Sequence, residues 1–176
     1  MSPQLSIHSS LVLLKFRDSS METTQLGVYQ MPGLARWACE QHIIYSKLWD
    51  DVTLETVATC FNTFIRMIDS SPSLTVHAIL DVLEMKKYPK NIRHIQQVTK
   101  NYFLHPRRGY SVHVTEDIYQ YFTGSIISGV FDAKYKLVAS TEEAIHFILA
   151  SDSNLEVGFE PLKLLAEPSQ NTFIFI

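Results

Sequence analysis

The chain has 176 residues, of which 46% are apolar and 19% charged, enough apolar text to build one sizeable core and too much for a disordered chain. A formal net charge of −3 argues against a general nucleic-acid-binding surface, although it leaves room for a local basic patch. The two cysteines, Cys39 and Cys60, form no CxxC pair and no Cys/His ligand spacing, so neither a zinc site nor a disulfide framework is expected and a reduced, cytoplasmic setting is the simplest reading.

Residues 1–32 hold few periodic cues and read as an N-terminal extension with at most one strand, in "SIHSSLVLLKF". That run has no positive flank and no small-residue cleavage site, so no signal peptide is expected. No apolar run approaches the roughly 18 residues that would span a bilayer. Pro32-Gly33 punctuates the entry to a domain expected over 33–150.

Two strand-like runs come first, "LARWACE" and "IIYSKLW", joined by a short polar link, which predicts a β-hairpin. Thr53 then caps a predicted helix whose Leu54, Val57, Ala58, Phe61, Phe64, Ile65 and Ile68 share one face, and Ser70-Ser71-Pro72-Ser73 ends it. The continuous apolar run "LTVHAILD", 74–81, predicts a central strand ending at Asp81. Pro89 suits the first turn of a second helix with the stripe Ile92, Ile95, Val98 and Tyr102. "YSVHVT" predicts a strand, Thr115-Glu116-Asp117 the cap of a third helix running to about Phe131, "KYKLVA" a strand, and Ser140 with Glu143 the capping box of a last helix. Residues 151–176 turn polar and then end in "TFIFI", an apolar segment expected to dock on the domain, on a partner chain or beside the N-terminal strand.

The order β-β-α-β-α-β-α-β-α predicts an α/β domain: a mostly parallel sheet of four or five strands, an N-terminal antiparallel hairpin and four helices. Carried by "VHAILDV", the helix start near Tyr88-Pro89 and "KYKLVASTEEAIHFI", the pattern over roughly 33–150 resembles the STAS fold, the family of anti-sigma-factor antagonists (SpoIIAA-like domains) and sulfate-transporter cytosolic domains. The resemblance implies a non-enzymatic domain that works by binding proteins or small ligands. In phospho-regulated members an Asp-Ser-Ser/Thr-Gly motif opens the second helix. Here the matching positions read Tyr88-Pro89-Lys90-Asn91, and nothing between Asp81 and Val98 is Ser or Thr, so the phospho-switch does not carry over and the chain looks like a divergent bacterial branch.

Two groups of residues stand out. Lys86, Lys87, Lys90, Arg93, Lys100, Arg107 and Arg108 are seven of fifteen cationic residues and fall within 23 positions that hold no Asp or Glu. They are candidates for an acidic partner, a weakly held anionic ligand or a membrane surface, and equally for a merely solvated helix face. From Ile118 to Phe131 no residue is charged, so this helix should be covered on more than one side. Ile118, Phe122, Gly124, Ser125, Ser128 and Gly129 are the candidate surface of a homodimer through 118–131, with the terminal segments as the alternative cover.

The rest of the chemistry reads as structural. His77 and Asp81 share a strand face, His113 lies on another strand, and no histidine pairing has metal-ligand spacing. Neither cysteine is placed for nucleophilic attack, and no phosphate loop or nucleophile elbow occurs, so no catalytic residue, metal or cofactor is expected. Asp81 is expected to hold the backbone of the segment that follows it. The reading is a non-enzymatic, regulatory protein-interaction domain whose protein partner is unidentified; the alternative is a small-ligand, lipid or anion-binding module using the basic second helix.

Overall fold

The computed structural model describes residues 32–39, 41–155 and 173–174. The expected strand in 1–31 and most of the C-terminal segment lie outside the described residues.

Ten elements follow in order: β1 (Gly33–Cys39), β2 (Ile43–Asp51), α1 (Leu54–Ser70), β3 (Val76–Lys87), α2 (Ile92–Phe103), β4 (Arg108–Val114), α3 (Ile118–Val130), β5 (Tyr135–Val138), α4 (Thr141–Ser151) and β6 (Phe173–Ile174). The sheet order is β5-β4-β3-β2-β1-β6. Strands β2 to β5 run parallel, while β1 pairs antiparallel with β2 on one side and with β6 on the other. The α/β class, the leading hairpin and the four helices match the sequence reading; the sixth strand is an addition from "TFIFI".

Local chemistry sets the boundaries. The hairpin turns with Gln41 at a φ of 66° and a bond from the His42 N–H to the Cys39 carbonyl. Thr53 and Thr56 form a reciprocal capping box at the start of α1. Asp117 caps α3 by accepting from the Tyr119 and Gln120 N–H groups. Ser140 caps α4, but Glu143 reaches back to the Ala139 N–H instead of that of Ser140.

Both sheet faces are covered, as a parallel sheet requires. On one face Val76, Ala78, Leu80 and Val82 of β3 meet Cys60, Phe61, Phe64 and Ile68 of α1, Ile95 and Phe103 of α2, and Ile127 of α3. On the other, Ile79, Val112 and Val114 meet Ala144, Ile145 and Ile148 of α4. The period of two along β3 therefore assigns its even positions to three helices and its odd ones to α4.

Two expected boundaries are corrected. The third strand does not stop at Asp81 but continues to Lys87, because β2 continues beside it: Trp49 pairs with Glu84, Asp50 with Met85 and Asp51 with Lys87. The partner on the other side does stop, since β4 last pairs at Val114 with Asp81. Beyond that point β3 overhangs with one neighbour. Pro89 lies in the link that follows, and α2 begins at Ile92 with Asn91 as its cap, accepting from the His94 N–H at 3.2 Å.

Candidate functional site

The Asp81 junction is a structural polar knot. Its carboxylate is buried and accepts the Tyr45 hydroxyl at 2.9 Å, the Leu83 N–H at 3.1 Å and the Thr141 hydroxyl at 3.4 Å, which ties β2, β3 and the start of α4 together. Burial, reinforced by the Asp81 charge, pushes the Tyr45 phenol well above its ordinary pKa. Four residues back on the same face, His77 accepts the Tyr110 N–H at Nδ1, so its proton sits on Nε2 and points to Asp152 Oδ2 at 3.0 Å. Burial lowers the His77 pKa, partly offset by Asp152; the bond from His77 in turn lowers that of Asp152. Cys60 is fully buried in α1, and burial pushes its thiol up to about 12, which leaves no thiolate to react near neutral pH.

The seven cations do not converge. Lys86 and Lys87 stand on the β3 overhang, each bound to an acid of β2, Asp50 and Asp51. Arg107 and Arg108 lie beside Val76, at the opposite end of β3. Arg107 donates to the Ser71 carbonyl at 2.7 Å and faces Asp69; Arg108 donates to the Phe103 and Gly109 carbonyls and lies over the Phe103 ring. Lys90, Arg93 and Lys100 alone remain exposed without a hydrogen bond or ion pair among the described residues.

The α3 residues divide between two faces. Gly124, Ile127 and Ser128 turn inward. A Cβ on Gly124 would come within 1.8 Å of the Tyr135 hydroxyl, so this glycine is required by the neighbouring tyrosine and not by a second helix. Ser125 is half-buried, and a Cβ on Gly129 would meet nothing within 4 Å. Ile118, Tyr119, Tyr121, Phe122 and Val130 are all more than half exposed, Ile118 the most at 76%.

Sequence reasoning missed a cavity of about 100 Å³ between α1, α2, α3 and the sheet, open to the surface on one side. Leu80, Phe61, Ile95, Phe103 and Ile127 form its apolar wall, Met85, Tyr88 and Pro89 lie along it past Asp81, and His113 of β4 lines it with Gln120, Thr123 and Gly124 of α3. Burial alone lowers the His113 pKa to about 4, so the ring is neutral at pH 7. It packs edge-on against Tyr135 with ring centres 4.8 Å apart and makes no hydrogen bond among the described residues. The Tyr135 hydroxyl is buried without a partner among the described residues. The one signal in the sequence was His113 itself, a titratable residue between two buried valines of the strand.

Among the described residues no group of three or more His, Cys, Asp or Glu could hold a metal, and no helix is long and apolar enough to cross a membrane. No known family model matches the sequence, and no curated protein matches it either. Among solved structures, an uncharacterized protein of the DUF3478 family with a SpoIIAA-like fold, from Shewanella loihica, superposes with a TM-score of 0.49 at 8% identity, over 73% of this chain and 98% of that one.

Proposed function

We propose that this chain is a non-catalytic, regulatory interaction domain of STAS type that pairs with a second copy of itself through α3, in the cytoplasm. The observation that carries the reading is the apolar face of that helix. At 100° per residue, Ile118, Phe122, Tyr119 and Val130 fall on one side with Tyr121 at its edge, together covering roughly half the circumference. Ser125 and Gly129 lie between them and let another backbone approach. An aromatic side chain can bury roughly 150–250 Å². The exposed parts of three of them with Ile118 and Val130 supply much of the ~800 Å² per partner found in stable interfaces.

A second copy is favoured over the chain's own C-terminal segment. Of that segment the described residues lie away from α3: Leu155 packs on the α4 face of the sheet, and β6 pairs with β1 at the edge farthest from β5. The alternative, anion binding by the basic region, has four of its seven cations engaged by internal partners. A two-fold pairing is self-complementary, and the absence of charge on α3 spares both copies the cost of desolvating ions.

Sedimentation equilibrium from low to high micromolar concentration tests this. The expected result is a dimer that Phe122→Glu with Ile118→Glu converts to a folded monomer. A wild-type chain that stays strictly monomeric at high micromolar concentration refutes the pairing.

A further inference from the structure

We propose that the cavity beneath α3 is a binding site for a small, uncharged, mainly apolar molecule carrying one hydrogen-bonding group, with His113 as the group that recognises it. This does not depend on how α3 associates.

The position is one where α/β folds place ligands. The parallel strands β2 to β4 carry the cavity towards their carboxyl ends, where the β3 overhang and the link through Tyr88-Pro89 stand over it. The wall sets the ligand's character. Among the described residues no Asp, Glu, Lys or Arg lines the space, so an ion entering it would give up part of its hydration with no charged group to replace it. At about 100 Å³ the cavity is well below the usual ligand pocket, and somewhat below the roughly 150 Å³ of an engineered apolar cavity known to hold benzene. A single ring or a short aliphatic chain is the scale that fits.

The polar groups set the specificity. Buried polar groups almost always have partners. Thr99 donates its hydroxyl to the Ile95 carbonyl, and the Gln120 side-chain oxygen already accepts the Thr115 hydroxyl. The half-buried His113 imidazole has no such bond among the described residues; the Tyr135 ring packs against it, and the Tyr135 hydroxyl, buried without a partner among those residues, lies under Gly124. A neutral imidazole offers one donor and one acceptor. A hydroxyl or amide on an otherwise apolar guest can satisfy it, and the hydrocarbon wall can bury the remainder. A guest without that group leaves the imidazole unsatisfied and is discriminated against for the same reason.

The test uses the full ¹⁵N-labelled chain, with backbone and imidazole nitrogen spectra recorded against four probes: phenol, n-butanol, toluene and benzoate. Phenol or butanol is expected to give saturable shifts centred on His113, Gly124 and Ile127, binding tighter than toluene by roughly tenfold or more, with benzoate silent. His113→Leu should erase the preference for phenol over toluene, whereas His113→Gln, which keeps a donor and an acceptor, should retain it. Ile127→Trp, filling the space, should abolish binding of every probe. The proposal is overturned if neither phenol nor butanol saturates, if His113→Leu leaves the preference intact, or if the imidazole exchanges only with a resident water that no probe displaces.

Discussion

The Tyr45 hydroxyl donates to the Asp81 carboxylate at 2.9 Å from the strand next door, 36 residues earlier in the chain. Both side chains are buried, so the bond is charge-assisted and poorly screened. Tyr45→Phe should therefore destabilise the domain by roughly 1–3 kcal/mol, since it strips a buried carboxylate of its shortest bond. Asp81→Asn, which can still accept from Tyr45 and Leu83, should cost less than Asp81→Leu. Urea denaturation measures both; a Tyr45→Phe midpoint equal to wild type would mean water replaces the phenol without loss.

Acid should destabilise the fold in two stages. His77 and His113 both have folded-state pKa values below the ordinary 6.5, His113 at about 4. The unfolded chain therefore takes up those protons first, and the stability present above pH 6.5 declines as pH falls from there towards 4. His113 alone can contribute up to on the order of 3 kcal/mol of that loss. Asp152 acts lower still. Its folded pKa lies below 3.8, so the stabilisation it gives is complete above that value and disappears as pH drops through the folded one. Denaturation at a series of pH values should show the decline, and His113→Leu should shrink its upper stage to the His77 share while leaving the Asp152 stage in place. A flat wild-type profile between pH 6.5 and 4 would contradict the burial of both rings.

The two glycines of α3 should respond to alanine in opposite directions. Gly124→Ala forces a methyl group against the Tyr135 hydroxyl and should cost about 1–3 kcal/mol, partly recovered by adding Tyr135→Phe. Gly129→Ala meets open space within a helix and should gain up to about 1 kcal/mol in the isolated chain. Thermal melts of the single and double variants decide it. Equal losses at both positions would mean that Gly129, too, is packed against something.

Much of this architecture could be read from sequence because it is specified locally. Thr53, Asp117 and Ser140 announce their helices within three residues, and the α1 stripe reports its buried side through Phe61, Phe64 and Ile68, although Thr56, Cys60, Thr63 and Met67 are buried with them. What could not be read depends on residues distant in the chain. Asp81 reads as a strand end because an acid inside a buried strand needs a partner, and that partner, Tyr45, lies on another strand. The length of β3 is supported by Asp50 and Asp51, which give its late register positions a neighbour. The seven cations form one block in the sequence, but the extended β3 holds Arg107 and Arg108 at one end and Lys86 and Lys87 at the other. The cavity was invisible for a simpler reason: no residue encodes empty space, which arises where Gly124 and Thr123 meet His113 across a gap.

The overhang of β3 also creates a hazard. From Val82 to Lys87 one side of the strand has no ladder partner among the described residues, and an open strand edge is a template on which another chain can add itself. Glu84, Lys86 and Lys87 on this overhang are exposed and pair with Lys47, Asp50 and Asp51 of β2, on the side away from the open edge. A strand adding there would lie next to this row of exposed charges. The lysines that looked in the sequence like a lure for anions belong instead to an ion-paired strand end.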